Sequence, residues 1–290
     1  MKKQLINFLQ LMRAPAVFTA FSNILAAHLI VTQGNIQWSN LSLLLIASAS
    51  LYLAGMVLND CFDYQEDLLD RPERPLPSGR IPQKIAWCLG WLLLAMGVLS
   101  ALLVGLKQFY IALLLSVLIV TYNAYAKQTL SGIFVMGGCR YVNWLLGLSV
   151  VTLNQQLFIL SLPIFIYVSS LTLLSTIETT ASNRTYIILT GAGMLLCAVI
   201  ILFMQLSGPQ VQLFSIAVLS VMLLLICDRL YKTYNDFSPL QIQKTIKFLV
   251  MGIIPLDAVV TLSNASILSA IMILSLLLPG WLLARSMRVT

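Results

Sequence analysis

Apolar stretches of roughly twenty residues recur along this chain from end to end, each long enough to cross the hydrocarbon core of a bilayer as a helix. Charged residues make up only 9% of the sequence and hydrophobic ones 59%, where soluble domains carry roughly 25% charge. The chain is therefore read as an all-α integral membrane protein. Ten apolar segments can be drawn, at 14–32, 40–58, 85–106, 109–126, 132–151, 157–177, 186–206, 211–227, 246–262 and 266–284. Charge placement tests that count. With a cytoplasmic N-terminus, 16 of the 17 basic residues fall at cytoplasmic ends and loops, and only Lys107 falls outside. This is the bias the positive-inside rule expects, and merging any internal pair of segments would spoil it. It also accounts for the net charge of +7 without invoking nucleic acid. The last segment is the weakest, because Pro279 and Gly280 lie within it.

The same map sends nine of the ten acids to the cytoplasmic side, Asp257 being the exception. The external loops at 32–39, 152–156 and 207–210 are too short for an external domain. Lys2 and Lys3 precede an apolar stretch, but Arg13 and Pro15 interrupt it and no small-residue cleavage site follows, so the first segment is expected to be retained. Five cysteines without paired spacing read as free thiols, not as a zinc site or disulfide framework. One polytopic membrane domain over 1–290 is expected, in a bacterial inner membrane, with its chemistry in the cytoplasmic loop 59–84.

That loop is the chemically loaded part of the chain. The run Leu41–Leu58 has no charge, and then Asp60, Asp63, Glu66, Asp67, Asp70 and Glu73 arrive within fourteen residues. Extended as a helix, Asn59, Asp63, Asp67 and Asp70 share one face, with Asp60 one turn before Asp63. Acids stacked this way repel unless a cation joins them, and hard oxygen ligands suit Mg²⁺, often together with substrate phosphates. The next stretch, Arg71-Pro72-Glu73-Arg74-Pro75-Leu76-Pro77-Ser78-Gly79-Arg80, has three prolines and a glycine that impose a rigid loop. Its arginines either pair with the acids or grip phosphate oxygens of a metal-bound ligand.

Asn59-Asp60-x-x-Asp63-x-x-x-Asp67, followed by Asp70-Arg71 and Arg74-Pro75-Leu76-Pro77-Ser78-Gly79, resembles the first signature of the UbiA superfamily of membrane prenyltransferases. Arg13-x-Pro15 resembles that family's N-terminal element, and Thr121-Tyr122-Asn123-Ala124-Tyr125-Ala126-Lys127 resembles the Tyr-and-Lys element ending its fourth helix. The resemblance implies a bundle of about nine to ten transmembrane helices around a central cavity. It also implies two aspartate-rich motifs that bind Mg²⁺ and the diphosphate of an isoprenyl donor, and transfer of the prenyl group to an aromatic or lipid-like acceptor. On this basis Asn59, Asp60, Asp63 and Asp67 are the expected metal ligands, and Asp60, Asp63 and Glu178 the expected catalytic positions. Arg74, Arg80, Lys127, Arg140 and Arg184 are the expected diphosphate contacts, and Asn23 and Tyr122 the expected cavity residues.

The second motif departs from the family pattern. Thr172 to Arg184 holds one acid, Glu178, where several aspartates are usual, and Gln128 stands where a basic residue is common. Two readings follow: a prenyltransferase, or a catalytically degenerate relative that binds or translocates a lipid or secondary-metabolite precursor. Gly137 to Ser149, Glu178 and Ile254-Pro255-Leu256-Asp257-Ala258 are similar to the EboC-type branch, which is encoded with genes for secondary-metabolite maturation or export. No Asp-Gly-x-x-Ala-Arg signature of a phosphatidyl-type transferase occurs, and Asp257 alone is too little for an ion path. Arg140 would cost roughly 2.5–3.5 kcal/mol near a bilayer centre, so it either faces the bundle interior or snorkels outward. Asp257 is expected to accept internal hydrogen bonds, and His28 to be an interfacial polar residue near the external end.

Overall fold

The computed structural model describes residues 2–207 and 213–288. Most of the 207–210 loop falls outside the described residues, as do the side chains of Lys2, Lys3 and Arg288. The described residues form helices and connecting turns without strands. In chain order the α-helices are α1 (Lys2–Leu11), α2 (Phe18–Val31), α3 (Trp38–Phe62), α4 (Tyr64–Asp70), α5 (Gln83–Val104), α6 (Leu106–Thr121), α7 (Ser131–Leu148) and α8 (Gln155–Leu160). They continue with α9 (Leu162–Ser175), α10 (Thr185–Ser207), α11 (Leu213–Asn235), α12 (Pro239–Met251), α13 (Ile253–Asn264), α14 (Ile267–Leu274) and α15 (Leu277–Arg288).

Nine helical stretches among the described residues are long and apolar enough to cross a membrane, and they coincide with nine of the ten sequence segments. The fifth segment, α7, is not among them. Its glycines, Arg140 and Asn143 dilute its apolar character, which suits a helix surrounded by other helices. Helix α7 packs against α2, α6 and α9, and its residues belong to both large apolar cores. Close approach depends on its glycines. A Cβ at Gly147 would sit 2.7 Å from the Ala27 Cβ and 3.0 Å from the Ile24 carbonyl oxygen of α2. One at Gly137 would sit 2.8 Å from the Phe165 carbonyl oxygen of α9. Small residues that let backbones approach are how helices associate in lipid, where burial from water gives no drive. Outward positions such as Leu92, Leu103, Phe203 and Leu224 are exposed, as a lipid-facing surface requires.

Several spans are broken rods. The first begins with a 3₁₀ turn at Ala14–Val17, the fourth ends in a π-helical turn at Tyr122–Ala126, and the sixth is split into α8 and α9 beside Pro163. The ninth is split into α12 and α13 at Gly252. Carbonyls loosened by such breaks need partners inside a membrane. The Tyr167 hydroxyl of α9 donates to the Leu249 carbonyl, 2.8 Å away, just before the α12–α13 break. His28, in the last turn of α2, is fully buried by its neighbours, and its Nε2 accepts from the Gln37 backbone at 3.3 Å, tying the end of α2 to the start of α3.

Candidate active site at one end of the bundle

The apolar helix α3 ends in the acidic motif. It stops at Phe62, Asp63 caps it, and α4 starts at Tyr64. The i to i+4 ladder continues across the break, Asp63 N to Asn59 O at 3.0 Å and Asp67 N to Asp63 O at 2.8 Å. The chain nonetheless turns there, and the single acidic face expected of a continuous helix is divided. Asn59, Asp60 and Asp67 are buried, whereas Asp70 is exposed.

Each of the inward acids meets a cation. Asp60 Oδ1 accepts from Arg13 Nη2 at 3.1 Å and Arg74 Nη1 at 3.5 Å, and the same Arg74 nitrogen donates to Asp67 Oδ2 at 2.6 Å. Lys127, just after the π-helical turn, donates to Asp63 Oδ2. Arg13 reaches this position from a left-handed backbone conformation, φ 46°, between α1 and the 3₁₀ turn. Left-handed geometry at a non-glycine residue is uncommon, and here it aims a guanidinium at the end of α3. Arg13 also donates to Asn59 Oδ1 at 3.4 Å. Asn59 donates to Asn123 Oδ1 at 3.1 Å, and Asn123 donates to the Gly55 carbonyl at 3.3 Å.

Glu178, beyond α9, accepts from Arg71 Nη2 at 2.9 Å, joining the remnant of the second motif to the loop of the first. Partial burial works against the Arg71 charge. The hydrogen bond and charge of Glu178, with Asp67 and Asp70 nearby, outweigh it and raise the Arg71 pKa above the usual arginine value. Tyr122 opens the π-helical turn within electrostatic reach of Asp63, Arg13 and Glu178.

Some expected residues lie elsewhere. Arg80 is exposed and turns away, donating to Ser78 Oγ at 2.8 Å and Asn7 Oδ1 at 3.3 Å, because the proline-rich loop carries it to the outer edge. Exposed Arg184 stacks over Tyr234 and Phe237, at 5.3 and 5.4 Å from the ring centroids. Arg140 does not snorkel. It donates to Thr19 Oγ1 at 2.9 Å and Asn23 Oδ1 at 3.3 Å and lies over the Tyr52 ring, inside the bundle. Asn23, fully buried, also donates to Asp257. Arg13 and Asn123 are site residues beyond those the sequence assigns, and Arg71, expected only among loop arginines that pair with acids or grip phosphate, meets Glu178. Arg13 and Asn123 lie within the sequence elements already singled out, and Arg71 sits between acids, but nothing local announces their partners 46, 107 and 64 residues away.

The donor set of Asn59, Asp60, Asp63 and Asp67 consists of hard oxygens and fits a divalent cation such as Mg²⁺ in kind. Among the described residues, no three His, Cys, Asp or Glu side chains gather closely enough to hold an ion, each inward carboxylate facing Arg or Lys instead.

These features define a class: an all-helical, multi-pass membrane protein with a carboxylate-and-cation site at one end of its bundle. The profile of the UbiA prenyltransferase family matches residues 20–239, and the chain belongs to that family. Digeranylgeranylglyceryl phosphate synthase of Metallosphaera sedula is 31% identical over 122 residues, 42% of this chain and 43% of that protein. The synthase of that name from Methanosarcina mazei is 42% identical over 76 residues, 26% of each chain. The matched stretch thus spans less than half the length of the curated relatives. Among solved structures, a digeranylgeranylglyceryl phosphate synthase superposes with TM-score 0.66 at 20% identity, covering 93% of this chain and 99% of that one. A UbiA homologue from Archaeoglobus fulgidus bound to GPP and Mg²⁺ superposes with TM-score 0.60 at 14% identity, covering 84% and 99%. These likenesses establish the shared fold.

Proposed function

We propose that this chain is a membrane prenyltransferase that moves a prenyl group from an isoprenyl diphosphate to a lipid-like or aromatic acceptor, at the cytoplasmic face of a bacterial inner membrane. The observation that carries this reading is the meeting of Asn59, Asp60, Asp63 and Asp67 with Arg13, Arg74 and Lys127, drawn from four separate parts of the chain. In the reaction the C1–O bond of the donor breaks and its electron pair leaves with diphosphate. The acceptor nucleophile bonds to C1 and gives up its proton. Arg13, Arg74 and Lys127 are placed to neutralise the departing diphosphate, and the apolar helices exclude water from the allylic cation. Asn59, Asp60, Asp63 and Asp67 would hold Mg²⁺, which when bound adds positive charge beside the leaving group. Of the cations that now pair with these acids, Arg13 and Arg74 would turn to the diphosphate as bidentate partners and Lys127 as a point charge. Arg80, Arg140 and Arg184 are left out of this role.

The relatives' names favour a glyceryl phosphate lipid over an aromatic ring as acceptor. The narrower EboC-type reading rests on the motifs of residues 137–149, Glu178 and 254–258 alone. The second reading, a degenerate binder or translocator, draws on one feature: Glu178 is engaged by Arg71, where the family's second motif would hold several acids.

The deciding experiment is binding of geranyl, farnesyl and geranylgeranyl diphosphates to detergent-purified protein, with and without Mg²⁺. Mg²⁺-dependent binding that is lost in Asp63→Ala, with membrane insertion intact, is the expected result. Failure of every donor to bind would move the assignment to a carrier.

A further inference from the structure

A second polar centre lies deeper in the bundle and takes no part in the site described above. Arg140 of α7 donates to Thr19 and Asn23 and sits 5.4 Å from the centroid of Tyr52. Asn23 passes the connection on, donating to Asp257 Oδ2 at 2.7 Å. Asp257 also accepts from Ser22 at 2.5 Å and Trp144 at 3.0 Å. Asn143 and Ser48 complete the network, 2.8 Å apart. Tyr52 precedes Asp60 by eight residues on α3, so the centre lies about 12 Å further into the membrane than the acidic end.

The charges in this centre are not balanced alike. Asp257 is sealed, at 1% exposure, with three neutral donors on its carboxylate. Arg140 has only neutral hydrogen-bond partners: among the described residues it forms no direct ion pair, and its counter-charge, Asp257, is reached only through Asn23, whereas Arg13, Arg71, Arg74 and Lys127 each hold a carboxylate. Its described hydrogen bonds use two of the five N–H donors of a guanidinium. Arg140 and Tyr52 are only partly buried, while Thr19, Asn23 and Asn143 behind them are closed off. An intramembrane arginine marks a functional site by default, and this one keeps spare donors at an open edge where a direct carboxylate partner would have used them.

We propose that Arg140, backed by Thr19, Asn23 and Tyr52, is the anchor for the anionic headgroup of the acceptor, a phosphate in the first instance. The proposal rests on the prenyl-transfer reading for the word acceptor, but the anion site itself does not. An amphiphile anchored at Arg140 sits between its own tail in the bilayer and a donor diphosphate about 12 Å away at the acidic end. Planar, bidentate recognition of phosphate is what a guanidinium offers and an ammonium does not.

The test uses purified full-length protein and two probes with the same alkyl chain, an alkylglycerol phosphate and the uncharged alkylglycerol, with 4-hydroxybenzoate as a carboxylate arm. Wild type is expected to bind the phosphate lipid at least tenfold more tightly than the neutral one. Absence of that preference in wild type overturns the proposal, whatever the variants do. Arg140→Gln is expected to abolish the preference while leaving Mg²⁺-dependent geranylgeranyl diphosphate binding within threefold. Arg140→Lys, which keeps the charge and supports the fold if the glutamine variant does not, is expected to weaken phosphate-lipid binding at least threefold. Arg74→Ala is expected to keep the preference; its loss there would assign the headgroup to the acidic end and overturn the proposal. Preference retained in Arg140→Lys at wild-type strength would do the same. Tighter binding of 4-hydroxybenzoate than of the phosphate lipid would overturn the phosphate assignment. Donor binding is read separately, so failure of the prenyl-transfer reading leaves the headgroup result standing.

Discussion

At the scale of single residues, the acidic end is governed by which cation each carboxylate meets. Arg74 bridges Asp60 and Asp67 with one nitrogen, 3.5 and 2.6 Å away, and both acids are buried. Removing one partner of a buried pair leaves a charge without compensation, which costs more than the pair contributes when intact. Arg74→Ala is therefore expected to raise the donor KM at least tenfold and to lower thermal stability in detergent. Arg80→Ala, at an exposed arginine that faces Ser78 and Asn7, is expected to change the donor KM by less than twofold. Donor titrations on the two variants check this; equal losses in both would mean that the loop reorients when the donor binds. The motif around Asp60 was legible from sequence because charge at the end of an apolar run has few other uses. Its partners were not, since Arg13, Lys127 and Asn123 arrive by tertiary folding.

Individual helices show why hydropathy locates spans better than it describes them. Apolar length alone identifies nine of the ten spans among the described residues, because a bilayer imposes length and polarity along the chain. The breaks are a different matter. Asp63 interrupts the acidic helix although no proline or glycine marks it, and the π-helical turn at Tyr122–Ala126 has no signature of its own. Pro15, Pro163 and Gly252 announce theirs. Repair of the α12–α13 break falls to Tyr167, whose hydroxyl meets the Leu249 carbonyl. Tyr167→Phe is expected to destabilise the protein by about 1 kcal/mol, the usual size of an interhelical hydrogen bond in a membrane protein. Unfolding by SDS titration measures this. Gly147→Val, which drives a branched side chain into Ala27 and the Ile24 carbonyl, is expected to cost more, about 3 kcal/mol at the upper end of overpacking.

For the whole molecule, the structural question is whether α7 crosses the bilayer, since it is not among the nine helical stretches of the described residues that are long and apolar enough on their own. Its surroundings answer that it does. Eighteen residues rise about 27 Å, close to the thickness of the hydrocarbon core. Helices α2, α6 and α9 pack around it, so Arg140 and Asn143 are shielded from lipid and need not obey a lipid-facing hydropathy threshold. If α7 crosses and the acidic end is cytoplasmic, Thr129 and Asn154, both exposed on either side of α7, lie on opposite faces of the membrane. Starting from a variant that lacks the five native cysteines, Thr129→Cys and Asn154→Cys are probed in intact cells with a membrane-impermeant maleimide. Asn154→Cys is expected to label at once and Thr129→Cys only after permeabilisation. Labelling of both from one side would make α7 a re-entrant element and invert every loop after it. The positive-inside bias of Arg184, Arg229, Lys232, Lys244 and Lys247 would then need another cause, and so would the placement of Glu178 beside Arg71 at the acidic end. One crossing therefore holds the site and the topology together: the ion pair that joins the two motifs can form only if an even number of spans lies between them.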